Sequence, residues 1–214
     1  MKRNYQIELD RVLTTLQERR PRLLLQSCCG PCSSYVLSYL TKHFDVTLLY
    51  YNPNIQPREE YDKRIACQIA LLQEAFPQVK LMECKYDGEA FTRVSAGLEQ
   101  EPEGGARCAV CFRLRLEETA RRAAAGGFDW FCTTLTVSPH KNAEVINAIG
   151  ETLAAQYGVA WLPSDFKKRD GYRQSIALSH TYNLYRQDYC GCLYAREAQK
   201  RQAAAETVQE AENK

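Results

Sequence analysis

The chain has no stretch that a bilayer would accept: nowhere do the roughly 18 consecutive apolar residues of a membrane span occur. Nor does Met1-Lys2-Arg3-Asn4-Tyr5 lead into the apolar core of a secretory signal. Leu9, Val12, Leu13 and Leu16 instead recur at helical spacing among Glu8, Asp10, Arg11 and Glu18, so residues 1–20 read as an amphipathic N-terminal helix. An excess of one charge is missing too. Twenty-eight Lys and Arg against 26 Asp and Glu leave +2, so no global field draws the protein to an anionic partner. There is no dinucleotide fingerprint, no SGG-x-D-S phosphate loop and no internal repeat, which sets aside the commonest nucleotide-dependent chemistries of α/β proteins. A cytoplasmic protein without membrane contact is expected, and in that compartment thiols stay reduced unless catalytic or metal-bound. With 214 residues for a core, no disulfide framework is needed.

Cysteine, by contrast, is abundant: ten residues, five of them in Cys28-Cys29-Gly30-Pro31-Cys32 and Cys108-Ala109-Val110-Cys111, with a further pair in Cys190-Gly191-Cys192. Cys67, Cys84 and Cys132 fall inside helix or strand patterns and read as ordinary buried thiols. Charge is also gathered locally, with Arg107, Arg113, Arg115, Arg121 and Arg122 around the second cluster and Lys167, Lys168, Arg169 and Arg173 in another group. Such runs are usually solvated faces; beside a reactive centre they can instead hold phosphates.

Periodicity predicts an alternation of strands and helices. Residues 22–27, 45–51, 79–84, 128–133 and 159–163 read as strands. Pro31 suits the first turn of a helix, and Pro57 opens a long one with Tyr61, Ile65, Ile69, Leu72 and Phe76 on one face. Further helices are expected over 87–98 and 107–125, after the cap Asn142 as far as Gly158, from Tyr172, and through 184–189 into the last cysteine pair. Residues 99–105 are an acidic loop, and 197–214 a frayed helical tail. No hairpin turn joins two strands, so the crossovers are βαβ and the sheet parallel: one α/β domain over 1–214 with a helical C-terminal part. In such sheets the site lies past the C-terminal strand ends. Cys28-Cys29, Asn52-Pro53-Asn54 and residues 133–142 leave the sheet there.

Cys29-Gly30-Pro31-Cys32 has thioredoxin spacing at a helix start, which favours a dithiol couple. It leaves five clustered thiols without a role. Adjacent Cys28 and Cys29 do not easily bridge each other, but both can ligate a polynuclear centre, and Cys108 and Cys111, at i and i+3 on a helix, can complete four thiolates for a cubane [4Fe–4S] cluster. Tetrahedral zinc with four thiolates is the alternative. Cys190 and Cys192 form a Gly-centred pair whose disulfide would be strained and readily reduced.

The ordered series Gln26-Ser27-Cys28-Cys29-Gly30-Pro31-Cys32, Tyr51-Asn52-Pro53-Asn54-Ile55 with Pro57 and Glu60-Tyr61, Arg107-Cys108 with Cys111 and Arg113, Thr133-Thr134-Leu135, Val137-Ser138-Pro139-His140-Lys141, Asp165-Phe166-Lys167-Lys168, Gly171-Tyr172 and Leu184-Tyr185-Arg186-Gln187 with Tyr189-Cys190-Gly191-Cys192 resembles the cobalamin-independent epoxyqueuosine reductases, the QueH family. Gly30, where alanine is expected, and Gln26, in place of a commoner histidine, depart from it without touching a thiol. The resemblance implies a Rossmann-like (HUP-type) parallel sheet flanked by helices. It implies reduction of the epoxide of epoxyqueuosine at the tRNA wobble position, the last step to queuosine. It further implies a [4Fe–4S] cluster on Cys28, Cys29, Cys108 and Cys111, a redox-active pair at Cys190 and Cys192, and an additional mononuclear metal for which Cys32 or Asp188 is a candidate ligand. Something must also polarise the epoxide oxygen, either an open iron or an acid, for which His140 and Asp165 are candidates. Arg113, Arg115, Lys167, Lys168 and Arg169 are candidate tRNA contacts, and an electron donor is required. A thioredoxin-like oxidoreductase and a zinc-stabilised tRNA-binding module remain the competing functions.

Overall fold

Leu23, Leu24 and Leu25 lie at the centre of the molecule, and their alternation decides its layering. In the computed structural model, which describes residues 3–16 and 19–212, all three are fully buried on the strand β1 (Arg22–Gln26). Leu23 and Leu25 enter one apolar cluster with Leu9, Val36, Leu37, Phe44, Leu72 and Phe166, whereas Leu24 enters another with Leu116, Phe131, Ile146, Leu153 and Trp161. A strand covered on both faces reads as a continuous apolar run, which is what the sequence shows.

The other strands are β2 (Asp45–Tyr50), β3 (Lys80–Glu83), β4 (Trp130–Thr133) and the two-residue β5 (Ala160–Trp161). All pairings are parallel, in the order β3-β2-β1-β4-β5. The chain works outward from β1 to β3, then returns to the centre at β4. Between β1 and β4 the order reverses, and such a switch point opens a crevice at the strands' C-terminal ends.

The first helix, α1 (Tyr5–Leu16), lies within the expected 1–20; residues 1, 2, 17 and 18 are outside the described residues. One layer is built from α1, α2 (Gly30–Leu40), α3 (Arg58–Ala75) and α7 (Gly171–Thr181); α5 (Ala106–Ala125) and α6 (Ala143–Tyr157) form the other, and α4 (Gly88–Ser95) packs on α5. Local signals set the boundaries. Asn142 accepts from the N–H groups of Glu144 and Val145 at 2.9 and 3.3 Å, and Gly158 ends α6 in the left-handed region at φ 67°. No helix among the described residues is long and apolar enough to cross a membrane.

Two expectations need correction. Residues 184–189 are not helical; they run as an irregular segment between α7 and α8 (Leu193–Glu212), tied by side chains to α3 and to Cys29. The buried face of α3 is Tyr61, Arg64, Gln68, Leu71 and Leu72, so two polar residues go inside while Ile65 and Ile69 stay half-buried. The tail forms a continuous helix to Glu212, and residues 213 and 214 lie outside the described residues.

Candidate functional site

The crevice floor is a buried polar layer. Gln26 ends β1 and accepts from Thr133 Oγ1, at the end of β4, at 2.7 Å; its Nε2 donates to Asn52 Oδ1 at 3.1 Å and to the Ser27 carbonyl at 3.0 Å. Asn52 Nδ2 donates back to the Ser27 carbonyl at 2.8 Å, and Ser27 and Ser33 both donate to Gln68 Oε1 at 2.8 Å. Three strand ends and α3 are thereby locked under the Cys28-Cys29 turn.

On this floor the Cys28, Cys29 and Cys32 sulfurs lie within 4.8 Å of one another. Cys29 is the extended N-cap of α2 and makes no side-chain cap bond, so its sulfur is free of the helix; Cys32, inside the first turn, faces back toward the strand-end pair. The Cys28 and Cys29 sulfurs are 3.7 Å apart, and Gln187 Nε2 donates to Cys29 at 3.1 Å. Hydrogen bonds from Cys29 and Cys32, aided by the charges of Lys141 and Arg115, hold Cys28 well below the usual thiol range. The Cys28 bond pushes Cys29 up to about 12, and Cys28 and Cys29 together raise Cys32. One thiolate shared among three sulfurs is the state a metal ion captures.

Cys190 and Cys192 face each other at 3.6 Å. The bond from Cys192, with help from Lys141 against burial, lowers Cys190 to about 6 and raises its partner. Cys190 is half-buried and Cys192 buried, because the preceding segment is pinned against α3. Cys108 and Cys111 sit near the start of α5 and line a small cavity together with Cys190, Cys192, His140 and Lys141. Cys108 also packs on the apolar cluster that holds Cys28 and Cys29. A larger cavity of about 700 Å³ adjoins, bordered by Cys28, Cys32, Arg64, Arg115, Lys141, Gln187 and Cys190. Asn54 Oδ1, Arg107 Nε and Gln187 Oε1, all on these walls, are buried without a hydrogen-bond partner. All-thiol donors beside orphaned polar atoms fit a bound metal–sulfur group and a polar substrate.

The remaining candidates divide. His140 is exposed and lines both cavities. Asp165 is buried, bonded to Lys167 Nζ at 2.6 Å, and not among the residues lining either cavity. Asp188 is exposed and borders the larger cavity without joining the three sulfurs. Arg115, expected as a surface contact, is 2% exposed and faces the thiols from α5. Arg113 pairs with Glu117 at 3.8 Å and Arg169 with Asp10 at 2.5 Å, while Lys168 is exposed.

Sequence reasoning gives no role to Arg64, Lys141 or Gln187. Lys141 is the cation common to both thiol groups. Burial opposes its charge, but the Cys190, Cys28 and Cys32 sulfurs outweigh burial and raise it. Its place in Ser138-Pro139-His140-Lys141, on the loop leaving β4, is the available signal; the rarer histidine beside it draws the attention.

A parallel α/β sheet whose switch-point crevice gathers thiol groups, with Cys28 and Cys190 lowered and their partners raised, defines a protein equipped for thiolate chemistry. A family model described as "Epoxyqueuosine reductase QueH" matches residues 23–198. The epoxyqueuosine reductase QueH of Streptococcus pyogenes serotype M1 is 42% identical over 209 residues, covering 93% of this chain and 82% of that protein. That of Staphylococcus epidermidis is 41% identical, covering 90% and 86%, and that of Thermotoga maritima 34% identical, covering 81% and 89%. The solved U34-tRNA thiolase NcsA from Methanococcus maripaludis with its [4Fe-4S] cluster superposes with a TM-score of 0.52 at 12% identity, over 88% of this chain and 67% of that one, a likeness of fold alone. The chain belongs to the epoxyqueuosine reductase QueH family.

Proposed function

We propose that this protein reduces epoxyqueuosine in the wobble position of tRNA to queuosine. The observation that carries the proposal is that two adjoining cavities meet at Cys190, Lys141 and His140, one lined by Cys28 and Cys32 and the other by Cys108, Cys111 and Cys192, in a chain of this family. Both C–O bonds of the epoxide break, the oxygen leaves as water with two protons, and the two carbons become an alkene at the expense of two electrons. Cys190 and Cys192 release two electrons and two protons as an S–S bond forms, which balances the reaction. An external dithiol or low-potential reductant then restores the pair.

Cys28, Cys29, Cys108 and Cys111 would hold a [4Fe–4S] cluster. Such a cluster, with all four irons capped by thiolates, would supply one-electron transfer. Cys32 is left as a ligand for an additional mononuclear metal. Lys141 and His140 stand at the cavity wall, where a proton donor to the leaving oxygen is needed, and Asp165, tied to Lys167, is the weaker candidate.

The test uses anaerobically reconstituted protein, tRNA carrying epoxyqueuosine, and nucleoside mass spectrometry. Loss of one oxygen atom from the modified nucleoside is expected, with the broad visible absorption of thiolate–iron centres. Serine at position 28, 29, 108 or 111 should remove iron and sulfide together. Serine at both 190 and 192 should abolish turnover and leave the cluster. A colourless protein that reduces disulfides without iron, or binds tRNA without turnover, overturns the proposal in favour of thioredoxin or zinc-module chemistry.

A further inference from the structure

Among the described residues Arg64 is the largest side chain that is fully buried, at 1% exposure on the inner face of α3. A guanidinium in that position costs several kcal/mol unless every charge and donor is answered. Its Nε donates to Glu60 at 2.6 Å, one helical turn back. Its Nη2 donates to the Tyr189 carbonyl and its Nη1 to the Cys190 carbonyl, both at 3.2 Å, and the guanidinium lies 5.2 Å from the Tyr189 ring centre. The fork therefore grips the two consecutive peptide groups on either side of the Cys190 Cα, at the entry to the Cys190-Gly191-Cys192 turn, a rigid geometry that lysine lacks.

Two further observations point the same way. Gly191 has φ 115°, and a Cβ there would stand 3.0 Å from Ile55 Cγ1 and 3.2 Å from Arg64 Nη1, so glycine lets the chain turn directly over the guanidinium. Glu60 is held on its far side by Tyr185 Oη, which donates at 3.1 and 3.3 Å. One ion pair thus ties both ends of a segment that has no helical bonds of its own. Arg64 also borders the cavity shared with Cys28 and Cys190.

We propose that Arg64, oriented by Glu60, is the positioning residue for the Cys190 and Cys192 pair. It acts through two backbone carbonyls to keep the sulfurs face to face and turned toward the cavity. The inference rests on the redox role given to that pair above. From 3.6 Å the sulfurs need only a short closure to the disulfide distance of about 2.05 Å. With its carbonyl anchors gone, the glycine-hinged pair samples other arrangements, and ring closure becomes rarer.

The experiment compares Arg64→Met, Arg64→Lys and Glu60→Gln with wild type in reconstituted holoprotein. Arg64 ligates nothing, so iron, sulfide and tRNA affinity should match wild type. Quenched-thiol mass spectrometry across dithiothreitol redox buffers should show the disulfide equilibrium shifted about tenfold toward the dithiol in Arg64→Met, equivalent to ~30 mV. Single-turnover reduction should slow by about two orders of magnitude, as a misplacement near 1 Å would do, with KM for tRNA within about twofold. Arg64→Lys should recover only part of both, and Glu60→Gln should fall between. If Arg64→Met does not fold, Arg64→Lys and Glu60→Gln carry the comparison. A redox titration unchanged in every variant, or loss of iron and folding in step with activity, overturns the inference. Wild-type protein that fails to reduce the tRNA sinks only the parent reading, and the shift in the pair's redox equilibrium still judges Arg64.

Discussion

Of the ten cysteines, Cys190 and Cys132 are held in opposite states by their surroundings, and that difference can be measured. The bond from Cys192, against burial and with the charge of Lys141, brings Cys190 to about 6; burial with no nearby cation pushes Cys132 up to about 12. Alkylation follows the thiolate, so Cys190 should gain reactivity as pH rises through about 6 and level off by about 7, where an ordinary thiol near 8.5 would still be climbing at pH 9. Cys132 should stay unlabelled throughout. The measurement is peptide mass spectrometry after timed iodoacetamide pulses in metal-free protein whose circular dichroism matches the holoprotein; a Cys190 rate still rising between pH 8 and 9 refutes it. At this scale the thiols were legible from spacing alone, because cysteine is rare and its clustering is not a by-product of packing. Arg64, Lys141 and Gln187 were not, since their roles come from residues that only the fold brings near. A second finding concerns Gly30, where alanine was expected. A Cβ there would meet Cys67 Sγ at 2.9 Å, so Cys67 on α3 fills the space that a methyl group would take.

Elements were readable wherever one physical signal dominated. Asn142 and Gly158 bounded α6 because capping is local chemistry, and the strands were visible because a sheet covered on both faces leaves continuous apolar runs. The segment 184–189 was misread as helix because Leu184 and Tyr185 carry helical propensity, while the groups that override it, Glu60, Arg64 and Cys29, are distant in sequence. The face of α3 was misread for the same reason, since Arg64 and Gln68 are buried to serve the site and apolar periodicity cannot announce that. Gly171 shows what an element junction can demand. A Cβ at this first residue of α7 would lie 1.8 Å from the Phe166 carbonyl oxygen and 2.5 Å from the Tyr35 ring, so α7 can seat on α2 only with glycine there. Gly171→Ala should destabilise the fold by about 2–3 kcal/mol, as overpacking against backbone does. Urea unfolding checks it, and a midpoint unchanged from wild type would show that the loop before α7 yields freely.

For the whole molecule, the question is how a nearly neutral protein engages a polyanion. The basic groups that stand out in the sequence are largely neutralised: Lys167 by Asp165, Arg169 by Asp10, Arg113 by Glu117. The mouth of the large cavity offers a different set. Arg186 and Arg201 are exposed on its rim and Tyr172 is 38% exposed beside them, whereas residues 99–103 bring Glu99, Glu101 and Glu103 to the cavity lining. On charge alone, a nucleic acid strand is expected to avoid that acidic edge and to favour the rim formed by α7, α8 and the segment between them, where Tyr172 is the exposed aromatic available for stacking. Binding should therefore weaken linearly in log affinity against log salt, and every phosphate left without its cation should reduce the slope by about 0.7–0.9. Replacing both Arg186 and Arg201 by glutamine should lower the slope by about 1.4–1.8, while glutamine at Lys168 and Arg169 should change it little, because Arg169 is already committed to Asp10. Fluorescence titration of a labelled anticodon stem-loop across a salt series reads both. The reverse ranking would move the tRNA from the cavity rim to the face carrying residues 167–169, and would require the wobble base to reach the thiols from that side.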